Sequence, residues 1–156
     1  MKIAFWATGV TANNYLNEGI EKYAARIGRY TSFEMQEIII AGKKRSQNPE
    51  QVRETEKDAV LKRLQNTDHL VLLDERGNQY TSRQFSQYLQ QLLNHVSGRM
   101  VFLAGGAHGF HEQLYERKQA MLALSAMTMP HDLVRVVFLE QLYRAFSILG
   151  NEPYHH

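Results

Sequence analysis

The chain has 156 residues, 44% of them hydrophobic and 22% charged, which indicates one globular domain over residues 1–156 and excludes a disordered or collagen-like protein. Cysteine is absent, so disulfides, Cys-ligated metal sites and thiol nucleophiles are excluded, and a reducing cytoplasm is the natural location. The net charge of +2 permits an RNA partner without predicting one, and no apolar run approaches the roughly 20 residues of a membrane helix.

Apolar segments alternate with segments of helical periodicity along the whole chain. In the first half these are a strand at Lys2–Ala7, a helix at Asn13–Ile27, a strand at Ser32–Ile40, a basic loop at Ala41–Asn48 and a helix from Pro49 to about Gln65. In the second half they are a strand at His69–Leu73, a turn at Asp74–Asn78, a helix capped by Ser82, a strand at Met100–Ala104, a short helix near Glu112–Lys118, a strand at Ala120–Leu124 and a helix at His131–Leu149. Apolar strands that alternate with helices predict an α/β fold with a parallel-rich sheet sandwiched by helices.

A glycine loop follows the fourth predicted strand. The run Gly105-Gly106-Ala107-His108-Gly109 stands between a strand and a helix, where glycines let a backbone approach a ligand and leave N–H groups free to bind it. The spacing GGxxG fits neither the dinucleotide-binding motif nor a P-loop. The run is equally typical of a ligand-binding loop and of a tight strand-to-helix turn.

The segment Leu124–Pro130 is unusually apolar for a loop. Its leucine and two methionines suit a backbone folded around a flat apolar ligand such as a purine. Taken alone, however, the segment favours a loop packed beneath the final helix.

The final helix carries apolar residues nearly all round. Val134, Phe138 and Leu142 mark one face, and Leu133 and Val137 lie on the other. Such a helix is buried on both sides, and in a small domain the second side is most easily covered by another subunit. The alternative is that the sheet and a neighbouring helix cover everything.

Charged residues on the same helix have two possible roles. His131 and Arg135 are four residues apart and so share a face, which is the apolar one. A buried arginine needs a carboxylate, a carbonyl or an anionic ligand, so its role is either functional or structural. Glu140 and Arg144 have the same spacing, which is typical of an ordinary surface pair.

The histidines do not predict a metal site. His108, His111 and Glu112 are close in sequence, but they do not form HExxH, and no further ligand has suitable spacing. We therefore expect a protein without a metal cofactor.

The second half of the chain contains a specific series of motifs. They are Gly105–Gly109, Leu-Ser-x-Met-Thr-x-Pro-His at Leu124–His131, Arg135-Val136-Val137, Glu140–Phe146 and a Pro-Tyr-His tail at Pro153–His155. In this order they resemble the RlmH family of ribosomal RNA methyltransferases, which belongs to the SPOUT class. The resemblance covers essentially the whole chain by length and element order and is tight from Met100 onward.

The resemblance implies S-adenosylmethionine as the methyl donor, a C-terminal trefoil knot and a homodimer. The implied reaction is N3-methylation of a pseudouridine in 23S ribosomal RNA within the assembled ribosome. The family's donor contacts correspond to Leu73, Gly105, Leu124, Ser125, Ala126, Met127, Thr128 and Met129. The candidates for removing the N3 proton, or for stabilising the resulting anion, are His131, Arg135, Tyr154 and His155. The family's Tyr-His tail implies that each subunit reaches into its partner's active site.

The chain departs from the family pattern at two positions. His156 stands where family members usually end in Lys or Arg, and Val10 follows Gly9 where they often carry Lys. Both changes remove positive charge that could meet RNA. His108 is also untypical of the glycine loop, and whether the basic residues Lys43–Arg45 contact the ribosome is left open.

Other functions remain compatible with parts of the sequence. One is a SPOUT methyltransferase with a 2′-hydroxyl acceptor, and another is a ribosome-binding module without enzymatic activity. A nucleotide-binding redox domain is disfavoured, because GxGxxG and its downstream acidic residue are missing.

Overall fold

The computed structural model describes residues 2–40 and 48–155, in which strands and helices alternate. The strands are β1 (Lys2–Thr8), β2 (Ser32–Ile38), β3 (His69–Gln79), β4 (Met100–Ala104) and β5 (Ala120–Ala123). The helices are α1 (Asn14–Ile27), α2 (Pro49–Arg63), α3 (Ser82–His95), α4 (Glu112–Arg117) and α5 (His131–Leu149), followed by a 3₁₀ turn (Pro153–His155). The basic residues Lys43–Arg45 and the terminal His156 lie outside the described residues.

The described strands form a sheet in the order β2-β1-β4-β3-β5. Each neighbouring pair is parallel, since each helical connection returns the chain to the end of the sheet at which the preceding strand began. Helices α1, α3 and α5 pack on one face, and α2 and α4 pack on the other. The predicted α/β sandwich is therefore confirmed, and its sheet is parallel throughout the described strands.

Alternate residues of β1 enter two separate cores, because successive side chains of a strand point to opposite faces. Phe5 packs against Phe102 and Phe138, with its ring centroid 4.7 Å from that of Phe138. Trp6 belongs to the other core, together with Val60 of α2. Burial on both faces explains why these strands are apolar runs rather than alternating patterns.

β3 differs from its prediction, which ended the strand at Leu73 and placed a turn at Asp74–Asn78. Leu73 and Asn78 both lie opposite Leu122 of β5. Residues 74–77 therefore form a bulge, after which pairing with β5 resumes. Residues typical of a turn are used here inside a strand, and such bulges redirect side chains.

Two other predicted boundaries are also wrong. The N-cap of α3 is Thr81 rather than Ser82. The Thr81 hydroxyl accepts a hydrogen bond from the backbone N–H of Gln84 at 3.1 Å. In return, the Gln84 side chain accepts one from the backbone N–H of Thr81 at 2.9 Å. This reciprocal pair is a capping box. β2 ends at Ile38, and Ile39 is exposed at the edge of the sheet.

Helix α5 is covered mostly by neighbouring helices of the same chain. α1 and α3 both pack against it. Gly19 of α1 allows a close approach, because a Cβ there would lie 3.2 Å from Val136. Leu133 remains 38% exposed, whereas Tyr143 and Ile148 are half-buried. Most of the second apolar side thus packs within the chain, as in the alternative interpretation.

Across residues 2–40 and 48–155, none of the helices combines the length and apolarity that a bilayer crossing requires.

Candidate active site

A cavity of about 870 Å³ opens at the carboxyl ends of β3, β4 and β5. Ligands bind at this edge in open parallel sheets, and the volume lies in the range of small-molecule sites. Three segments form its walls: residues 73–76, the glycine loop at residues 104–110 and the loop at residues 124–131. The lining is completed by single residues of the neighbouring elements: Arg53 of α2, Tyr115 of α4, Leu122 of β5 and Val134 of α5.

Seven of the eight predicted donor contacts line this cavity. They are Leu73, Gly105, Leu124, Ser125, Met127, Thr128 and Met129. These residues are distant in sequence, and the adjacency of β4, β3 and β5 brings them together. Ala126 is exposed and does not line the cavity.

The glycine loop packs its own aromatic residue over its first glycine. A Cβ on Gly105 would lie 3.0 Å from a ring carbon of Phe110, so a larger residue would displace the ring. The Phe110 ring also meets the Tyr115 ring edge-on, with centroids 5.8 Å apart. Arg53 Nη1 donates to the carbonyl oxygen of His108 at 3.3 Å, which ties this loop to α2.

The loop at residues 124–130 forms the opposite wall and mixes apolar and polar groups. The Ser125 hydroxyl accepts from the backbone N–H of Met127 at 2.9 Å, a local bond typical of turns. The Thr128 hydroxyl donates to Glu75 Oε2 at 3.0 Å, which joins the loop to the β3 bulge. Met127 is 78% exposed, so this part of the loop does not pack beneath α5. A flexible methionine beside a cavity can close over a flat ring.

The β3 bulge places charged residues on the cavity rim, and sequence reasoning missed them. Gly77 lets the bulged segment of β3 lie against β5, because a Cβ at this position would lie 2.6 Å from the backbone of Met121. Asp74 accepts from Arg76 Nε at 3.1 Å and from the Tyr115 hydroxyl at 2.6 Å. The signal for these residues was the charged run that directly follows a buried strand.

Hydrogen bonding sets the protonation states in this cluster. Burial raises the pKa of Asp74, but hydrogen bonds from Arg76 and Tyr115 outweigh burial and lower it to about 2. Burial and the bond to Asp74 raise the pKa of Tyr115 to about 12. At neutral pH the carboxylate is therefore ionised, and the phenol is neutral and donates to it.

His131 and Arg135 begin α5 but contact different surroundings. His131 lines the cavity, and its side chain is 46% exposed, with Nε2 3.2 Å from Asp132 Oδ1. Arg135 is fully buried and does not line the cavity. The spacing that places both residues on one helical face therefore does not bring their side chains to one site.

Arg135 bonds to the loop that follows β1. Its guanidinium donates to the carbonyl oxygens of Thr8 and Gly9, both at 2.9 Å, and to the Thr11 hydroxyl at 2.7 Å. Burial lowers the pKa of Arg135. Of the partners that the sequence left open, the structure shows two kinds: backbone carbonyls, which accept its hydrogen bonds, and the Glu37 carboxylate, which lies 3.9 Å from Nη1.

The tail residues Tyr154 and His155 lie on the 3₁₀ turn, and neither lines the cavity. Arg144 donates to the His155 carbonyl oxygen at 3.0 Å and to Glu140 Oε1 at 2.6 Å. The Tyr154 hydroxyl donates to the same Glu140 oxygen at 3.2 Å. The Arg144 and Glu140 side chains are only 24% and 19% exposed. Their interpretation as an ordinary surface pair is therefore wrong, because they fasten the tail to α5.

The histidines of the glycine loop region do not gather metal ligands. In the part of the chain that the structure describes, no group of three or more His, Asp or Glu residues could hold a metal ion. His111 instead caps α4, since its Nδ1 accepts from the backbone N–H of Gln113 at 3.1 Å, and its Nε2 lies 2.8 Å from Glu54.

Comparison with known proteins decides the family. Residues 1–155 match the sequence family described as "Predicted SPOUT methyltransferase". The chain belongs to the SPOUT methyltransferase family. It is 42% identical over 156 residues to ribosomal RNA large subunit methyltransferase H of Cytophaga hutchinsonii, with 100% of both chains covered. It is 43% identical to the protein of that name from Parabacteroides distasonis, covering 100% of this chain and 99% of the relative. The resemblance to the RlmH family is confirmed.

Solved structures share the fold of this SPOUT protein. A Legionella pneumophila methyltransferase in complex with the bound cofactor SAM matches with a TM-score of 0.51 at 11% identity, covering 93% of this chain and 66% of that chain. A crystal structure described as that of a hypothetical protein matches with a TM-score of 0.53 at 14% identity, covering 95% of this chain and 68% of that chain. At such identities the likeness shows the fold alone.

Proposed function

We propose that this chain transfers a methyl group from S-adenosylmethionine to N3 of a pseudouridine in 23S ribosomal RNA, acting on the assembled ribosome. The cavity carries this proposal, because residues at seven donor positions line one space at the carboxyl ends of neighbouring strands. Relatives of equal length that are named for methylation of large-subunit ribosomal RNA support the choice of substrate.

The cavity fits the methyl donor. Leu73, Leu124 and Met129 provide apolar walls for an adenine ring, and Gly105 lets the backbone approach a ligand closely. The bound donor supplies an electrophilic methyl group on a sulfonium. The chain's task is then to hold the acceptor nitrogen in line with that group, and positioning of this kind lowers a barrier by several kcal/mol. The displacement requires no metal ion, and none is proposed.

Of the four residues considered for the N3 proton, His131 is the one that lines the cavity of its own chain. N3 of pseudouridine carries a proton that must leave, and a nearby imidazole can accept it. His131 is half exposed on the cavity lining, and the adjacent Asp132 can orient its ring. Arg135 acts indirectly as a positioning residue, since it holds the loop after β1 against the start of α5.

Tyr154 and His155 act at the cavity of a second subunit. Neither lines the cavity of its own chain, yet Glu140 and Arg144 hold the tail in place. Large apolar side chains are also exposed near the carboxyl ends of β1 and β2 and at the start of α5, which favours contact with another subunit. They are Val10, Tyr15, Ile39 and Leu133. We therefore include a homodimer with shared sites in the proposed function.

The family's C-terminal trefoil knot is part of the same proposal. β5 lies at one edge of the sheet, whereas Arg135 of α5 bonds to the end of β1, on the far side of β3 and β4. This separation between β5 and the contact of α5 with β1 supports a C-terminal segment that passes the loops after β3 and β4, as the knot requires. Residues 1–156 act as one domain in this proposal, and the ribosomal substrate locates it in the cytoplasm.

Two measurements test the function. Calorimetry should show micromolar binding of S-adenosylmethionine and no binding of NAD or ATP. Deletion of the gene should remove one N3-methylpseudouridine from 23S ribosomal RNA, as detected by mass spectrometry, and expression of this chain should restore it. Loss of a 2′-O-methyl group instead would favour the other acceptor, and unchanged methylation would favour a ribosome-binding module.

A further inference from the structure

The cavity carries more charge than the adenosine part of a methyl donor requires. Its titratable or charged lining residues are Arg53, Asp74, Glu75, Arg76, His108, Tyr115 and His131. A purine and its ribose are recognised by apolar walls and a few hydrogen bonds. The charges therefore indicate a second part of the ligand that is itself ionic.

Three of these residues satisfy one another. Asp74 accepts from both Arg76 and Tyr115, and Arg76 also contacts the Tyr115 hydroxyl. This cluster is electrically balanced, and it fixes the β3 bulge against α4. Apart from the histidines, Arg53 and Glu75 are then the cavity ions that have no oppositely charged partner within residues 2–40 and 48–155.

Arg53 and Glu75 are attached to opposite walls of the cavity. Arg53 is half-buried, and its one hydrogen bond among the described residues goes to the carbonyl of His108 in the glycine loop. Glu75 accepts from the Thr128 hydroxyl in the loop at residues 124–130. Both partners are neutral groups, so neither hydrogen bond places an opposite charge beside the ion. The cavity therefore offers one cation and one anion, each held from its own wall.

Building on the proposed function, we propose that Arg53 and Glu75 bind the amino-acid end of the methyl donor. Arg53 would take the carboxylate and Glu75 the ammonium group. A zwitterion carries one charge of each sign, which matches the two unpaired ions, and the planar guanidinium suits a carboxylate. Such a subsite would distinguish the intact donor from adenosine derivatives that lack the amino acid.

Calorimetry with matched ligands tests this subsite without relying on catalysis. S-adenosylhomocysteine has the complete amino-acid end, decarboxylated S-adenosylmethionine lacks the carboxylate, and 5′-methylthioadenosine lacks both groups. Arg53→Gln and Glu75→Gln should each weaken S-adenosylhomocysteine binding by about 10- to 100-fold. Binding of 5′-methylthioadenosine should stay within about twofold, and only Glu75→Gln should weaken the decarboxylated donor.

Matched controls are Lys62→Gln on the exposed side of α2 and Glu116→Gln on α4, which do not line the cavity and should change none of these affinities. Equal losses for 5′-methylthioadenosine would show that Arg53 and Glu75 only shape the cavity. Unchanged S-adenosylhomocysteine affinity in both variants would exclude the contacts. Either result overturns the subsite and leaves the proposed function standing. If the wild-type protein binds neither S-adenosylmethionine nor S-adenosylhomocysteine, the proposed function fails and the subsite fails with it.

Discussion

Arg135 of α5 donates a 2.9 Å hydrogen bond to the carbonyl oxygen of Gly9, a residue 126 positions earlier in the chain. Gly9 has φ +88, a conformation that favours glycine. The guanidinium also bonds to Thr8 and Thr11. One buried side chain of the last helix therefore fixes the loop that follows the first strand.

Replacing Arg135 should destabilise the fold. Arg135→Ala leaves buried acceptors without a donor and should lower the free energy of unfolding by about 3 kcal/mol or more in urea titrations. Arg135→Lys should recover part of this loss, because it keeps the charge but not the planar fork.

Folded Arg135→Ala should still bind S-adenosylmethionine while methyl transfer falls at least about a hundredfold. A loss of unfolding free energy no larger than that of the exposed control Arg83→Ala would contradict this structural role.

Substitution of Gly105 should weaken donor binding while the fold is retained. A valine here would displace the Phe110 ring, which lies 3.0 Å from the Cβ position. We expect at least about a tenfold loss of S-adenosylmethionine affinity by calorimetry. Adding Phe110→Leu to Gly105→Ala should restore part of the affinity, because the smaller side chain makes room. Unaltered affinity in Gly105→Val would remove Gly105 from the site.

The Asp74 cluster should make stability depend on acid pH. Asp74 has a folded pKa of about 2, below its ordinary 3.8, and its side chain is only 9% exposed. Its contribution is therefore present above about pH 4 and disappears as the pH falls toward 2, a loss of about 2 kcal/mol by linkage. Asp74→Asn should show a correspondingly smaller decrease in urea titrations over this interval. Identical pH profiles for both proteins would refute the assignment.

Removal of Tyr154–His156 should separate donor binding from catalysis. The truncated protein should bind S-adenosylmethionine normally, since the tail does not line the cavity, and methyl transfer should fall at least about a hundredfold. Mixing it with Gly105→Val subunits should restore about a quarter of wild-type activity, because half of the dimers would contain one intact shared site. A monomer in sedimentation, or no recovery on mixing, would exclude shared sites.

Methyl transfer should depend on the assembled ribosome. With a net charge of +2, the chain should bind naked RNA weakly and with a modest salt dependence. A ribosomal surface supplies shape that a small protein cannot recognise by charge alone. Equal rates on a bare RNA hairpin and on purified ribosomes would show that the hairpin is sufficient.

Residue patterns predict regular elements well, as β4 and α5 illustrate. Their predicted bounds, Met100–Ala104 and His131–Leu149, coincide with those of the structure, because long apolar runs bounded by Gly or Pro leave little choice. The β3 bulge could not be predicted, since Asp74–Asn78 has turn composition and only pairing with β5 keeps it within a strand. The burial of Arg135 was foreseeable, but its acceptors were not, because they lie at the other end of the chain.

The bonds from Arg135 to the β1 loop have a consequence for biosynthesis. β1 is made first, yet the donor that fixes the loop behind it belongs to the last helix. A nascent chain that ends before residue 131 contains the glycine loop and the β3 bulge but neither His131 nor Arg135. The active site therefore reaches its final shape only after translation of the C-terminal helix. An enzyme that modifies ribosomes would in this way stay inactive until the ribosome that makes it has synthesised this helix.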